Sequence, residues 1–199
     1  MKSFPEILGR YVLIRPIAAS DADFLFDLRK DPVLTQFLND GPATLAEQRQ
    51  WMDRYFEREN DFNFLVVSNA TKKPIGTVAL VDIDRVSRRA EPGRWLIRGD
   101  SASAVESDLL CNTFAFEALA LETLHFSVLT QNTHVVSYHT KCGARWIATA
   151  PNHTFKNGVP YDAHLYELDR DTFERTKRPL LEKLLYGIST KSRGASIAG

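Results

Sequence analysis

The sequence predicts a single-domain α/β protein whose sheet is mixed and mostly antiparallel, with helices on both faces. The first ground is the order of segments: strand, two helices, three strands, helix, strand, helix, two strands and a terminal helix. The second is the run 63–83, which reads as a strand, a turn and a strand, that is, a hairpin. The third is composition: 44% hydrophobic residues in a chain of 199 suit one core of ordinary size and argue against disorder. The domain is expected over 1–188, and the Ser-, Lys- and Gly-containing tail 189–199 is expected to be flexible.

Each element has a local reason. Residues 10–15, Arg-Tyr-Val-Leu-Ile-Arg, are β-branched and aromatic and read as a strand that Pro16 ends. Ser20 is the expected N-cap of a helix over 21–30, with early carboxylates at its positive end and Phe24, Leu25 and Leu28 on one face. Asp31-Pro32 stops it. Thr44 with Glu47 three residues later fits a capping box, opening a helix to about Glu59 that buries Trp51, Met52, Tyr55 and Phe56. Strands follow at 63–68, 75–83 and 90–98. A loop is expected at 99–104, then a helix over 105–120, a strand over 124–129 and a short helix over 133–141 with Gly143 as its C-terminal glycine. The last strands are expected at 145–149 and 163–168, with a turn at 156–158 between them and an amphipathic helix from Asp171.

Composition narrows the function. Twenty-five basic residues balance twenty-five acidic ones, for a net charge of +0, so nucleic acid is not the expected partner. No stretch approaches the roughly 18 apolar residues of a membrane span, and the start of the sequence has no signal-peptide run. Cys111 and Cys142 make no disulfide framework, which fits a cytoplasmic protein with reduced thiols. His153 and His164 lack metal-ligand spacing with any Cys or carboxylate cluster, and His125 reads as a core residue, so no metal is expected.

Four segments then converge on a family. They are Leu13-Ile-Arg-Pro-Ile with Asp21 and Leu28-Arg-Lys-Asp-Pro32; Ile75-Gly76-Thr; Ala90-Glu91-Pro-Gly93-Arg-Trp95-Leu; and Asn132-Thr-His-Val-Val-Ser-Tyr-His139-Thr-Lys141-Cys-Gly143. In this order the chain resembles the GCN5-related N-acetyltransferases, in the branch similar to ribosomal-protein and amino-sugar acetyltransferases. The resemblance runs from about Arg10 to Leu168. It implies acetyl-CoA as co-substrate and transfer to an amine without a covalent enzyme intermediate. The acceptor implied is a small molecule such as a nucleotide-linked amino sugar, a reading that His139 and the run Phe155–Asp162 favour. A protein N-terminal amine and a non-catalytic CoA-binding module are the alternatives. The sequence does not specify an oligomer, and a homodimer is compatible with it.

The resemblance also implies site residues. Leu96, Ile97 and Arg98 with Ser101, Ala102, Ser103, Ala104 and Val105 match the acyl-CoA loop. The family usually writes that loop with glycines, whereas here small Ser and Ala residues stand in and Asp100 adds a negative charge. His139 falls where the family usually has a Tyr, seven residues after Asn132, and is the expected acid for the departing thiolate; Tyr138 is the competing acid. Glu91 is the expected general base, with Asp82 and Asp84 as alternatives near the acceptor. Asn132 either caps a helix or bonds the pantetheine, Lys141 either meets a CoA phosphate or is solvated, and Trp51 either walls the acceptor site or packs in the core.

Overall fold

The computed structural model describes residues 4–156 and 158–195, the last eight of these by backbone alone. The chain runs β1 (Ile7–Leu8), β2 (Val12–Pro16), α1 (Ala22–Lys30), α2 (Leu45–Glu57), β3 (Phe62–Ser68), β4 (Pro74–Asp84), β5 (Arg89–Ile97) and α3 (Ser101–Thr113). It continues with β6 (Thr123–Leu129), α4 (Thr133–Lys141), β7 (Arg145–Lys156), β8 (Val159–Asp169), the single turn α5 (Arg170–Thr172) and α6 (Arg178–Ala195). π-helical turns at Phe114–Ala118 and Phe173–Lys177 follow α3 and precede α6. The last four residues of the expected 189–199 tail lie outside the described residues, as does Asn157 of the expected 156–158 turn.

The strands form one sheet in the order β1-β2-β3-β4-β5-β6-β8-β7, antiparallel throughout except where β5 meets β6. Strand alternation decides which helices cover which face. Phe64 and Val66 of β3 point into a large core with Ala102, Leu109 and Phe173. Leu65, between them, packs with Leu25, Met52 and Tyr55 beneath α1 and α2. Helices therefore cover both faces, as the sequence predicts.

Several boundaries differ from expectation for local reasons. Ser20 does not cap α1. Asp21 instead takes the Ala18 N–H at 2.8 Å and both arms of Arg15 at 2.8 Å, a set of donors that a single hydroxyl cannot satisfy. Thr44 accepts from the Glu47 N–H at 3.2 Å as expected, while the Glu47 carboxylate reaches back one residue further, to the Ala43 N–H at 2.8 Å. The expected loop 99–104 is helix from Ser101 onward, because Asp100 is an N-cap whose carboxylate accepts from the Ser103 N–H at 2.8 Å. β7 and β8 run well past 145–149 and 163–168, forming a long hairpin.

Two glycines match their positions. A Cβ on Gly76 would stand 2.1 Å from the Leu96 carbonyl oxygen, so only glycine lets β4 approach β5 there. Gly143, at φ +83, ends α4 in the left-handed conformation.

One buried ion pair joins three elements. Lys177 Nζ lies 2.9 Å from Asp108 Oδ2, their side chains 2% and 9% exposed. The Tyr138 hydroxyl donates to the same oxygen at 2.6 Å, and Asn112 Nδ2 donates to Asp108 Oδ1 at 2.8 Å. Burial alone would raise the Asp108 pKa. The charges of Lys177 and His139 and the Tyr138 hydrogen bond outweigh burial and hold it below the ordinary carboxylate value. Lys177→Met should therefore lower the unfolding free energy by about 3–5 kcal/mol, because it strands a buried carboxylate. Adding Asp108→Asn should recover most of that loss, with urea unfolding midpoints as the readout.

Candidate active site

β5 and β6 pair at only two positions, Arg89 with Thr123 and Ala90 with Leu124, and then diverge. Parallel neighbours that part in this way leave a cleft between them. Glu91 is the first residue beyond the parting. Because Ala90 packs into the α3-side core, Glu91 points to the opposite face, that of α1 and α2.

Two irregularities in the β4–β5 ladder shape this face. Thr77 pairs with Leu96 and Ala79 with Gly93, so β5 carries an extra residue between them. That bulge holds Arg94 at φ +50, and the Thr77 hydroxyl fixes it by donating to the Arg94 carbonyl at 2.7 Å. Further along, Val81 pairs with Glu91 and Asp84 with Arg89, so the extra residue is on β4, where Asp82 also stands at φ +50. A left-handed backbone at non-glycine residues costs energy and here re-aims two charged side chains.

A cavity of about 420 Å³ lies between α1, α2 and the inner residues of β3 to β5. Trp51 forms part of its wall, stacked on Tyr55 at 5.7 Å. The Arg94 guanidinium lies 5.2 Å above the Trp51 ring and donates to Asn63 Oδ1 at 2.7 Å. Arg29 enters from α1, held by the Asn39 carbonyl at 2.9 Å. The tip of the β7–β8 hairpin reaches the segment after α1 through Lys156, which donates to the carbonyls of Thr35 and Gln36 at 2.6 and 2.8 Å.

The sequence-predicted residues fall into distinct settings. Trp51 and Leu96 both line the cavity. Glu91 keeps more than a third of its surface in water, yet partial burial and the nearby Asp82 charge raise its carboxyl pKa, against the opposing pull of His153 and Arg94. Asp82 is exposed beside it. The Asp84 carboxylate accepts from the N–H groups of Val86 and Ser87, closing the β4–β5 turn. Ile97 pairs with Gly76. Arg98 turns to α1, where it binds Asp27 and, at 3.3 Å, Asp31. At the start of α3, Asp100 occupies the Ser103 N–H with its side chain and the Ala104 N–H with its carbonyl at 3.1 Å. Ser101 and Ala102 thus keep the first-turn N–H groups that a helix leaves for an anion, and Val105 packs against the core.

Asn132 caps α4, accepting from the Val135 N–H at 3.4 Å, and Lys141 is exposed at the far end of that helix. Tyr138 and His139 diverge, as neighbours on a helix must. Tyr138 is engaged by Asp108, and burial with that carboxylate drives its pKa far upward. His139 is only 9% exposed, 4.4 Å from the Phe126 ring and 6.4 Å from that of Tyr166. Its Nδ1 has no hydrogen-bond partner. Burial, reinforced by Lys177, pushes its pKa down to about 4, so the imidazole is uncharged at neutral pH. Cys111 and Cys142 are free and buried, and burial raises both thiol pKa values. Among the described residues, no group of three or more His, Cys, Asp or Glu is placed to hold a metal ion, and no helix is long and apolar enough to cross a membrane.

Sequence reasoning missed Asn63, Arg94 and Arg29. A signal for Arg94 was present, since Pro92-Gly93 inside a strand marks a bulge. Asn63 and Arg29 carry no comparable mark, because only the tertiary fold brings them to the cavity.

The chain matches the family model of the acetyltransferase (GNAT) domain over residues 12–145. It belongs to the GNAT acetyltransferases, a family that uses acetyl-CoA. It is 24% identical over 173 residues to the uncharacterized N-acetyltransferase YoaA of Bacillus subtilis (strain 168), covering 83% of this chain and 97% of that one. Among solved structures it is similar to FdhC, a nucleotide-linked sugar GNAT, at 25% identity and a TM-score of 0.69, with 82% of this chain and 89% of that one covered. It is also similar in fold to spermidine N-acetyltransferase from Vibrio cholerae in complex with CoA and spermine, at 18% identity and a TM-score of 0.75, covering 83% and 99%.

His139 makes stability depend on pH. Its folded pKa of about 4 lies below the ordinary 6.5, so the unfolded chain binds the proton more readily. This contribution is complete above pH 6.5 and is lost as pH falls toward 4, by roughly 3 kcal/mol. His139→Leu should flatten that part of the curve, as measured by urea unfolding between pH 4 and 7.

Proposed function

We propose that the protein transfers an acetyl group from acetyl-CoA to a primary amine of a small molecule, such as a nucleotide-linked amino sugar, by direct attack with both substrates bound. The observation that carries this reading is the parting of β5 and β6 beside a cavity of about 420 Å³ that borders the same β5 strand. That volume suits a small acceptor. Similarity to the nucleotide-linked sugar acetyltransferase supports the amino-sugar class.

The roles follow from the chemistry each setting allows. Backbone N–H groups of β5 facing the parting polarise the thioester carbonyl. The N–H groups of Ser101 and Ala102 receive the pyrophosphate. Glu91, its pKa raised, attracts the acceptor ammonium and relays its proton to water. His139 acts as a neutral imidazole, offering an N–H to the departing sulfur rather than a full proton, and solvent protonates the thiolate. Neither cysteine is an activated nucleophile, which supports transfer without a covalent enzyme intermediate.

Thiol release from acetyl-CoA, measured across a panel of amines, tests the reading, and no release with any amine sinks it. His139→Ala should lower kcat by roughly 10- to 1000-fold with little change in acetyl-CoA affinity, and the pH profile above pH 5 should keep its shape. Glu91→Gln should reduce kcat/KM by about 100-fold at pH 7, and the deficit should shrink as pH rises and more of the amine is already neutral. At the pyrophosphate site, Asp100→Ser keeps an N-cap and removes a negative charge, so it should lower the KM for acetyl-CoA severalfold.

A further inference from the structure

We infer that the acceptor amine is carried by an anionic molecule, whose carboxylate or phosphate oxygens seat on Arg94 and Arg29 inside the cavity beneath α1 and α2. The inference rests on the acetyltransferase reading above and names the class of substrate for that site.

The charge in the cavity is unbalanced. Its lining holds three arginines, Arg29, Arg54 and Arg94, against two carboxylates, Asp40 and Glu47. Glu47 is already engaged at the start of α2, where it accepts from the Ala43 N–H at 2.8 Å. Asp40 acts on Arg29 from the rim. Behind the cavity, the buried Asp61 is shared between Arg58 at 3.2 Å and Arg94 at 3.9 Å, one negative charge between two positive ones.

The charge of Arg94 also bears on Arg29, and both side chains line the cavity. Burial, joined by the charge of Arg94, lowers the Arg29 pKa, and burial lowers that of Arg94. Both remain protonated at any physiological pH. Asp61 and Asp40 offset part of this charge, and an anion seated between the two guanidinium groups would offset the rest. The backbone adds a cost, because Arg94 reaches the cavity only through its left-handed bulge. Gly41 leaves room for Arg29, since a Cβ there would come within 3.2 Å of Arg29 Nε.

A neutral side chain positions Arg94. Asn63 is 4% exposed and lines the cavity, and its Oδ1 is fixed by Arg94 at 2.7 Å. Its Nδ2 has no acceptor at hydrogen-bonding geometry. That nitrogen is shielded from the open cavity, so Asn63 serves the site by holding the Arg94 guanidinium. Planar guanidinium groups suit the paired oxygens of a carboxylate or phosphate. A polycation such as spermidine meets repulsion here.

The test compares matched amines in the thiol-release assay: glucosamine, glucosamine 6-phosphate, the carboxylate-bearing muramic acid, and spermidine. Expected is a kcat/KM at least 10-fold higher for an anionic amine than for glucosamine, from charge-assisted hydrogen bonds. Preference for the phosphate or for the carboxylate compound identifies the anion. Arg29→Gln, on the wall opposite Arg94, should bring the ratio near one with an unchanged unfolding midpoint, and Arg94→Gln should do the same if it folds. Equal or better turnover of glucosamine or spermidine overturns the anionic acceptor while leaving the acetyltransferase reading intact. If no amine is turned over, that reading fails, and the subsite is decided by melting temperature without acetyl-CoA. An Arg29-dependent shift with either anionic sugar beyond that with glucosamine supports it, and no such shift overturns it.

Discussion

The arrangement of the candidate site depends on one buried ion pair. Lys177 comes from the segment leading into α6, Asp108 from α3, and the Tyr138 hydroxyl that shares the carboxylate from α4. A charge pair in a core gains little over hydrophobic residues of similar size, but it tolerates no shift of either partner. Here that intolerance sets the orientation of α4. With Tyr138 held by Asp108 and by the Trp95 ring at 5.3 Å, its neighbour His139 is turned between Phe126 and Tyr166. The low pKa of the imidazole comes first from the burial this placement imposes; Lys177 adds to it and Asp108 opposes it.

On the other side of the sheet, the β4–β5 ladder does the positioning. Regular pairing would have sent the side chains of this hairpin alternately to either face. The two bulges break that alternation and give the extra residues, Arg94 and Asp82, left-handed backbones. Stability and function are coupled there, because relaxing the backbone at Arg94 would withdraw its guanidinium from Trp51 and Asn63.

Much of this architecture was legible in the sequence because it rests on local rules. Thr44 and Glu47 announced α2, and Gly143 announced the end of α4. Trp51 was placed in a helix at the right spacing to face inward. The start of α3 was placed at 105 rather than Ser101, although Asp100 with a backbone donor three residues on is an ordinary N-cap pattern. The partners of Arg98, Asp27 and Asp31, lie some seventy positions earlier, a separation that no spacing rule spans. Arg29 was illegible for the same reason, and Pro92-Gly93 marked a bulge at Arg94 without showing what it faces. Arg29 and Arg94 meet only because α1 folds across β5.

The strand order also bears on how the molecule is made. β8 lies between β6 and β7, so the last strand among the described residues is an interior one. Until residue 169 has left the ribosome, β6 presents an unpaired edge and β7 has no partner at all. Lys177, which completes the Asp108 pair, emerges later still. A nascent chain that has not yet reached β8 therefore carries an open sheet, a state in which such edges invite association with other chains. Closure waits for β8 and then for Lys177, so a truncation before β8 would release a protein with its cleft residues present and its sheet unfinished.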